Sequence, residues 1–79
     1  MPIAFVLISA EMGSESEVLK ELKRIDAVKE AYEIYGTYDI IAKVEADTLG
    51  KLKEAVNWQM RRLKKIRSTW TMIAIEETT

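Results

Sequence analysis

Apolar and polar residues follow two different periods along the chain. Residues 2–10, "PIAFVLISA", are apolar at nearly every position, which predicts a short strand buried on both faces. In "EMGSESEVLKELKRI" the apolar positions thin out to Val18, Leu22 and Ile25, with Leu19 at the edge of the stripe. That spacing predicts an amphipathic helix over about Glu15 to Ile25. Ser14, with Glu17 three residues on, fits a capping box at its start. "VKEAYEIY" then alternates, with Val28, Tyr32 and Ile34 to one side and Lys29, Glu33 and Tyr35 to the other. Its charges suit the edge of a sheet. Gly36 and Thr37 predict a turn, and "YDIIAKVEA", Tyr38 to Ala46, the returning strand of a hairpin.

Asp47 stands where the N-cap of a second helix is expected, ahead of "TLGKLKEAVNWQMRRLKK". Leu49, Leu52, Val56, Met60 and Leu63 line one face of it at about 100° per residue. Lys and Arg crowd its last turn, where the helix dipole favours cations. "IRSTWTMIAI", Ile66 to Ile75, is a strand rich in β-branched residues, and the tail "EETT" is expected to fray. The order β-α-β-β-α-β, with right-handed crossovers and a central hairpin, predicts an α+β ferredoxin-like sandwich. Two helices lie on one face of a four-stranded antiparallel sheet, with the strands in the order 4-1-3-2.

That architecture leaves apolar surface uncovered. Ile3, Phe5 and Leu7 fall on one side of the first strand, and Ala4, Val6 and Ile8 on the other; in the last strand Trp70, Met72 and Ala74 oppose Ile73 and Ile75. Two helices hide one face only. Burying the second removes about 25 cal/mol per Å² of apolar area before association costs. A second copy of the chain, sheet on sheet, is the simple solution, so a homo-oligomer of at least two chains is predicted. Trp58 lies about 180° around the second helix from Leu49 and points away from the core. It is either a plain exposed side chain or an anchor for a contact between dimers.

Composition narrows the chemistry. The chain has 79 residues and reads as one domain over 1–79, small enough to need reinforcement. There is no Cys and no His. Disulfides and thiolate metal sites are thereby excluded, and the commonest metal ligand and general base are missing. With no Ser-His-Asp set, no Cys nucleophile and no GxGxxG, neither catalytic residues nor a cofactor is predicted. A net charge of −1, from 12 basic and 13 acidic residues, argues against direct nucleic-acid binding. No apolar run approaches the roughly 20 residues of a membrane helix, and the start lacks the basic region of a signal peptide. A cytoplasmic protein is expected.

The candidate residues cluster at the hairpin. Asp39 either satisfies backbone N–H groups near the turn or accepts a ligand ammonium; a catalytic role lacks a second titratable group to pair with. Gly36 fits a turn position with positive φ, and its missing Cβ would also let a ligand carboxylate approach the backbone. Tyr35 and Tyr38 flank the turn as cross-strand packing or as a binding platform. Ser68, Thr69 and Thr71 are ordinary strand residues whose hydroxyls could also hold a small zwitterion. "RRLKK" with Arg67 is a solvated helix end or a phosphate site.

"VKEAYEIYGTYDIIAKVEADTLGKL" resembles the effector-binding domain of the Lrp/AsnC transcriptional regulators, the RAM domain (regulation of amino-acid metabolism). Its G-x-Y-D hairpin carries the likeness. "IAFVLISAEMGSESEVLKELKRI" is similar to the family's first strand and helix, and "IRSTWTMIAIEE" to its last strand. "RIDAVKE" departs from the Pro-Gly that many members carry before the Val. The resemblance implies dimers of facing sheets, often assembled into rings, with an amino acid bound between dimers. It carries ligand contacts onto Gly36, Tyr38 and Asp39, with Thr69 and Thr71 as further partners: Asp39 for the ammonium and backbone N–H groups near the turn for the carboxylate. Classical members carry a helix-turn-helix before this domain, and here the first strand begins at residue 2 or 3. The chain therefore reads as a stand-alone RAM domain that binds an amino acid, joins full-length regulators, or does both. The competing readings are a small dimeric α/β-barrel enzyme of isomerase or monooxygenase type, which would keep a polar cavity between sheet and helices, and an ACT-type regulatory domain, which pairs its sheets side by side.

Overall fold

A computed structural model describes residues 1–75. Its elements are β1 (Ile3–Ala10), α1 (Glu15–Lys23), β2 (Val28–Glu33), β3 (Ile40–Glu45), α2 (Leu49–Glu54, continued by a π-helical segment, Ala55–Met60) and β4 (Ile66–Ala74). The sheet order is β2-β3-β1-β4 with every neighbouring pair antiparallel. This is the ferredoxin-like arrangement predicted from the hydrophobic pattern. The predicted tail, residues 76–79, lies outside the described residues.

β1 is central because both its faces are apolar. Ala4, Val6, Ile8 and Ala10 are buried beneath the helices, while Phe5 on the opposite side is exposed. β3 contributes Ile40, Ala42 and Val44 to the covered face, α1 supplies Val18 and Leu22, and α2 with its π segment supplies Leu52, Ala55, Val56 and Met60. Full burial of one such aliphatic side chain is worth about 1.5–3 kcal/mol. Among the described residues no polar or charged residue is buried. The core between sheet and helices is therefore built of aliphatic side chains, where the barrel-enzyme reading expected a polar cavity.

Four local expectations are corrected. β2 does not place Val28 and Tyr32 on one side: Val28 pairs with Val44 but Glu30 with Lys43, a bulge that inserts one residue. Beyond that slip the faces exchange, so Val28 and Ala31 are buried while Tyr32 lies opposite Ile41 on the open side. Ser14 makes no capping box. Its backbone, at φ −105° and ψ 6°, lacks the extended geometry of an N-cap, and no side-chain bond forms; its carbonyl accepts from Val18 N–H instead. The second helix is capped by Thr48 rather than Asp47: Thr48 is extended, and its Oγ1 accepts from Lys51 N–H at 3.1 Å. Asp47, one residue further out, faces Lys51 Nζ at 3.9 Å. Leu49, predicted on the core stripe, stays 46 % exposed. The helix continues from Ala55 with i→i+5 bonding, and Ala55, Val56 and Met60 share the core contact. Trp58 points to solvent, as its phase predicted.

Candidate functional site

The hairpin turn is longer than two residues. β2 ends at Glu33 and β3 begins at Ile40, so residues 34–39 form a loop closed by Ile34 N–H donating to the Asp39 carbonyl at 2.8 Å. Asp39 is the anchor of this loop. Its N–H donates to the Ile8 carbonyl at 2.9 Å, and its Oδ2 accepts from Ala10 N–H at 2.9 Å. The carboxylate thus completes the ladder where β1 runs out of partners. It is half-buried, and no Lys or Arg among the described residues forms an ion pair with it.

Gly36 has φ 155°, a conformation that favours glycine, and a Cβ built there would meet nothing within 4 Å. The loop backbone is open on that side. Tyr38 is half-buried next to Asp39, and Tyr35 projects fully into solvent, so Tyr35 is no cross-strand packing residue. The structure therefore brings Gly36, Tyr38 and Asp39 together at one end of the sheet.

Thr69 and Thr71 lie on the other face of the sheet, with Thr69 at the same end as Asp39, whose N–H is bonded to Ile8. They pair with Ile8 and Val6 of β1, both fully buried, and so belong to the helix-covered face. Thr71 is level with Val6, about 13 Å along the strand from Ala10 at ~3.3 Å per residue. Its Oγ1 is buried without a hydrogen-bond partner among the described residues. Ser68 falls on the opposite face, level with Ser9.

Two further features were not resolved by sequence spacing. The β1–β4 register slips between Ser9 and Ala10, so that Ala10 pairs with Ile66 and Arg67 is the extra, bulged residue. There Arg61, Ile66, Arg67, Ser68 and Thr69 line an open hollow of about 340 Å³. Lys65, part of the same basic run, is occupied by Glu17 at 3.5 Å. On the open face Tyr32 Oη donates to Glu30 Oε1 at 2.6 Å, and Lys43 Nζ stands 3.7 Å from Glu30 Oε2. The hydrogen bond to Glu30 and the nearby Glu30 charge raise the Tyr32 phenol above its ordinary value of 10.0. The alternation of β2 put Tyr32 on the wrong side; the bulge carries Glu30 and Tyr32 together to the open face and sets Glu30 opposite Lys43.

The remaining open face is apolar. Phe5, Trp70 and Met72 are 39 %, 57 % and 42 % exposed and occupy adjacent pairing positions on β1 and β4. Among the described residues no group of three or more acidic residues could hold a metal ion. No described helix is long and apolar enough to cross a membrane.

The described residues thus form a ferredoxin-like domain with an aliphatic core, one uncovered apolar sheet face and an anchored carboxylate in its hairpin loop. The chain belongs to the Lrp/AsnC ligand binding domain family, whose model matches residues 3–79. It is 30% identical over 74 residues to the HTH-type transcriptional regulator FL11 of Pyrococcus furiosus, a match covering 94% of this chain and 48% of the relative. It is 35% identical over 74 residues to the homocitrate synthase of Saccharolobus islandicus, covering 90% of this chain and 16% of that enzyme. The chain thus spans less than half the length of either curated relative. The crystal structure of hypothetical protein PHS023 from Pyrococcus horikoshii superposes with a TM-score of 0.90 at 45% sequence identity, covering 98% of this chain and 93% of that one.

Proposed function

We propose that this chain is a non-enzymatic, amino-acid-binding assembly module of the cytoplasm. In this reading it modulates transcription or amino-acid metabolism through ligand-linked association with itself or with full-length Lrp/AsnC regulators. The observation that carries the proposal is Asp39: in a family defined by ligand binding, it is a half-buried carboxylate with no ion-pair partner among the described residues, fixed through one oxygen at the mouth of an open loop. A fixed carboxylate is suited to an ammonium, and the open Gly36 backbone offers N–H groups to a carboxylate. Tyr38 supplies the wall between them. Thr69 and Thr71 join this site only across a contact between copies, since within one chain they lie on the covered face.

The apolar open face supports a dimer of facing sheets, and a ligand seated where copies meet links binding to assembly. The matching segment makes up 48% of a transcriptional regulator in one relative and 16% of an enzyme in another, which suits a module that reports a metabolite to whatever it is joined to. The absence of His and Cys and the aliphatic core support a chain without chemistry of its own.

The test is thermal unfolding with each of the twenty amino acids, read beside solution mass. A ligand present at 100 times its Kd stabilises by about 2.7 kcal/mol, so the cognate amino acid raises Tm and shifts the mass. A melting temperature indifferent to all twenty refutes the proposal.

A further inference from the structure

Charge is unevenly divided along the chain. Between residues 51 and 67 stand seven of the 12 basic side chains and one of the 13 acidic ones, so this stretch carries +6 and the rest of the chain −7. The C-terminus of a helix attracts cations, but its dipole amounts to about half a charge, which a single cation offsets. Asp47 and Glu17 occupy Lys51 and Lys65. Lys53, Arg61, Arg62, Lys64 and Arg67 form no ion pair among the described residues. The net charge of −1 for the whole chain therefore conceals a cationic corner where α2 leads into β4.

Two hollows flank the consecutive pair Arg61 and Arg62. In the smaller, of about 340 Å³, Arg61 and Arg67 share the wall with Ser68 and Thr69, and no acidic side chain lines it. The bulge brings Arg67 there: as the extra residue between Ile66 and Ser68 it is left out of the ladder with β1. A guanidinium can give two parallel N–H bonds to a phosphate, and a hydroxyl can add another. The larger hollow, of about 600 Å³, runs along the outer face of the second helix from Gly50 to Arg62 and includes Trp58 and Asn57. Trp58 is 64% exposed, which leaves its ring free to stack. Every nucleobase has a π-face, and an aromatic side chain beside a cationic groove holds such bases without reading their sequence. The Asn57 amide adds a donor and an acceptor for a base edge.

We propose that the corner between α2 and β4 binds a nucleotide, with the base stacked on Trp58 and the phosphate held by Arg61, Arg67 and Ser68. Arg62, on the wall it shares with Trp58, presents a second planar group to the base. The chemistry recognised is an aromatic base joined to a phosphate, whether free or within a single strand. Gly36, Tyr38 and Asp39 take no part, so the site stands or falls independently of amino-acid binding.

Isothermal titration calorimetry of the full chain compares AMP, adenosine, inorganic phosphate and a short single-stranded oligoadenylate. AMP or the oligoadenylate is expected to bind at least tenfold tighter than adenosine or phosphate. Tighter binding of AMP identifies a free nucleotide as the source, and tighter binding of the oligoadenylate identifies a strand; either satisfies the proposal. Trp58→Ala, and separately Arg61→Gln with Arg67→Gln, should each weaken that binding at least tenfold while the Tm response to the cognate amino acid persists. If neither ligand exceeds inorganic phosphate, the corner is a plain anion site and the proposal is overturned. Affinity that survives the loss of Trp58 overturns it equally. Should a variant melt well below the parent, Trp70→Phe decides instead, because it leaves Trp58 as the one indole of the chain. Its emission should be quenched by the tighter ligand and not by phosphate, and unchanged emission overturns the proposal.

Discussion

Asp39 holds a structural bond and, in the function proposed above, a ligand ammonium, and one pair of substitutions separates the two roles. Ala10 is 3 % exposed, and its N–H is bonded to Asp39 Oδ2 at 2.9 Å. Asp39→Ala leaves a buried donor without an acceptor, which costs about 1–3 kcal/mol. For a domain of this size 1 kcal/mol moves Tm by roughly 4–8 °C, so a loss near 2 kcal/mol lowers Tm by about 8–16 °C. Asp39→Asn keeps an acceptor oxygen in the same place and removes only the charge, so its cost stays below about 1 kcal/mol, the net worth of a typical neutral bond. The ligand should respond in the opposite proportion. Both variants lose the partner of an ammonium, and both lose the Tm rise produced by the cognate amino acid. Differential scanning fluorimetry with and without that amino acid reads both effects in one plate. If Asp39→Ala melts with the parent, the Ala10 bond holds nothing. If Asp39→Asn responds to the amino acid as the parent does, the carboxylate is a structural group only and the ligand contact lies elsewhere.

Three other outcomes are expected. Thr48→Ala removes the acceptor for Lys51 N–H and should lower stability by about 1 kcal/mol, whereas Thr48→Asp should retain it; denaturant midpoints measure both. Tyr32 binds its proton more tightly when folded than when unfolded. The stability this gives is therefore complete below pH 10 and is lost as pH rises through the higher folded value. Absorbance titration of the phenolate should show one tyrosine ionising late, and Glu30→Gln should bring it back. Replacing Phe5 and Trp70 together by Ser removes two exposed aromatics from the open face, so self-association should weaken at least tenfold, about 1.4 kcal/mol, with the circular dichroism spectrum unchanged. Unaltered solution mass would show that the open face is not the contact.

The sequence by itself determined the elements and their order. Val18, Leu22 and Ile25 repeat with the helical period, residues 2–10 are too continuously apolar for anything but an inner strand, and Gly36 stands where φ is positive. Those signals are local, because a helix or strand declares its buried face through its own spacing. The family likeness was equally legible, since the G-x-Y-D hairpin is contiguous. What the tertiary structure alone decided depends on pairing between distant residues. A bulge at Lys29 moved Tyr32 across the sheet, and a second at Arg67 shaped the basic hollow. Thr69 and Thr71, close in sequence to other polar residues, were carried to the covered face by their register with Ile8 and Val6. Asp39 found its partner at Ala10, 29 residues away. Register is a property of two strands at once, and a single slipped residue exchanges every face that follows it. A linear spacing therefore names the candidates, and the ladder between strands decides which of them meet.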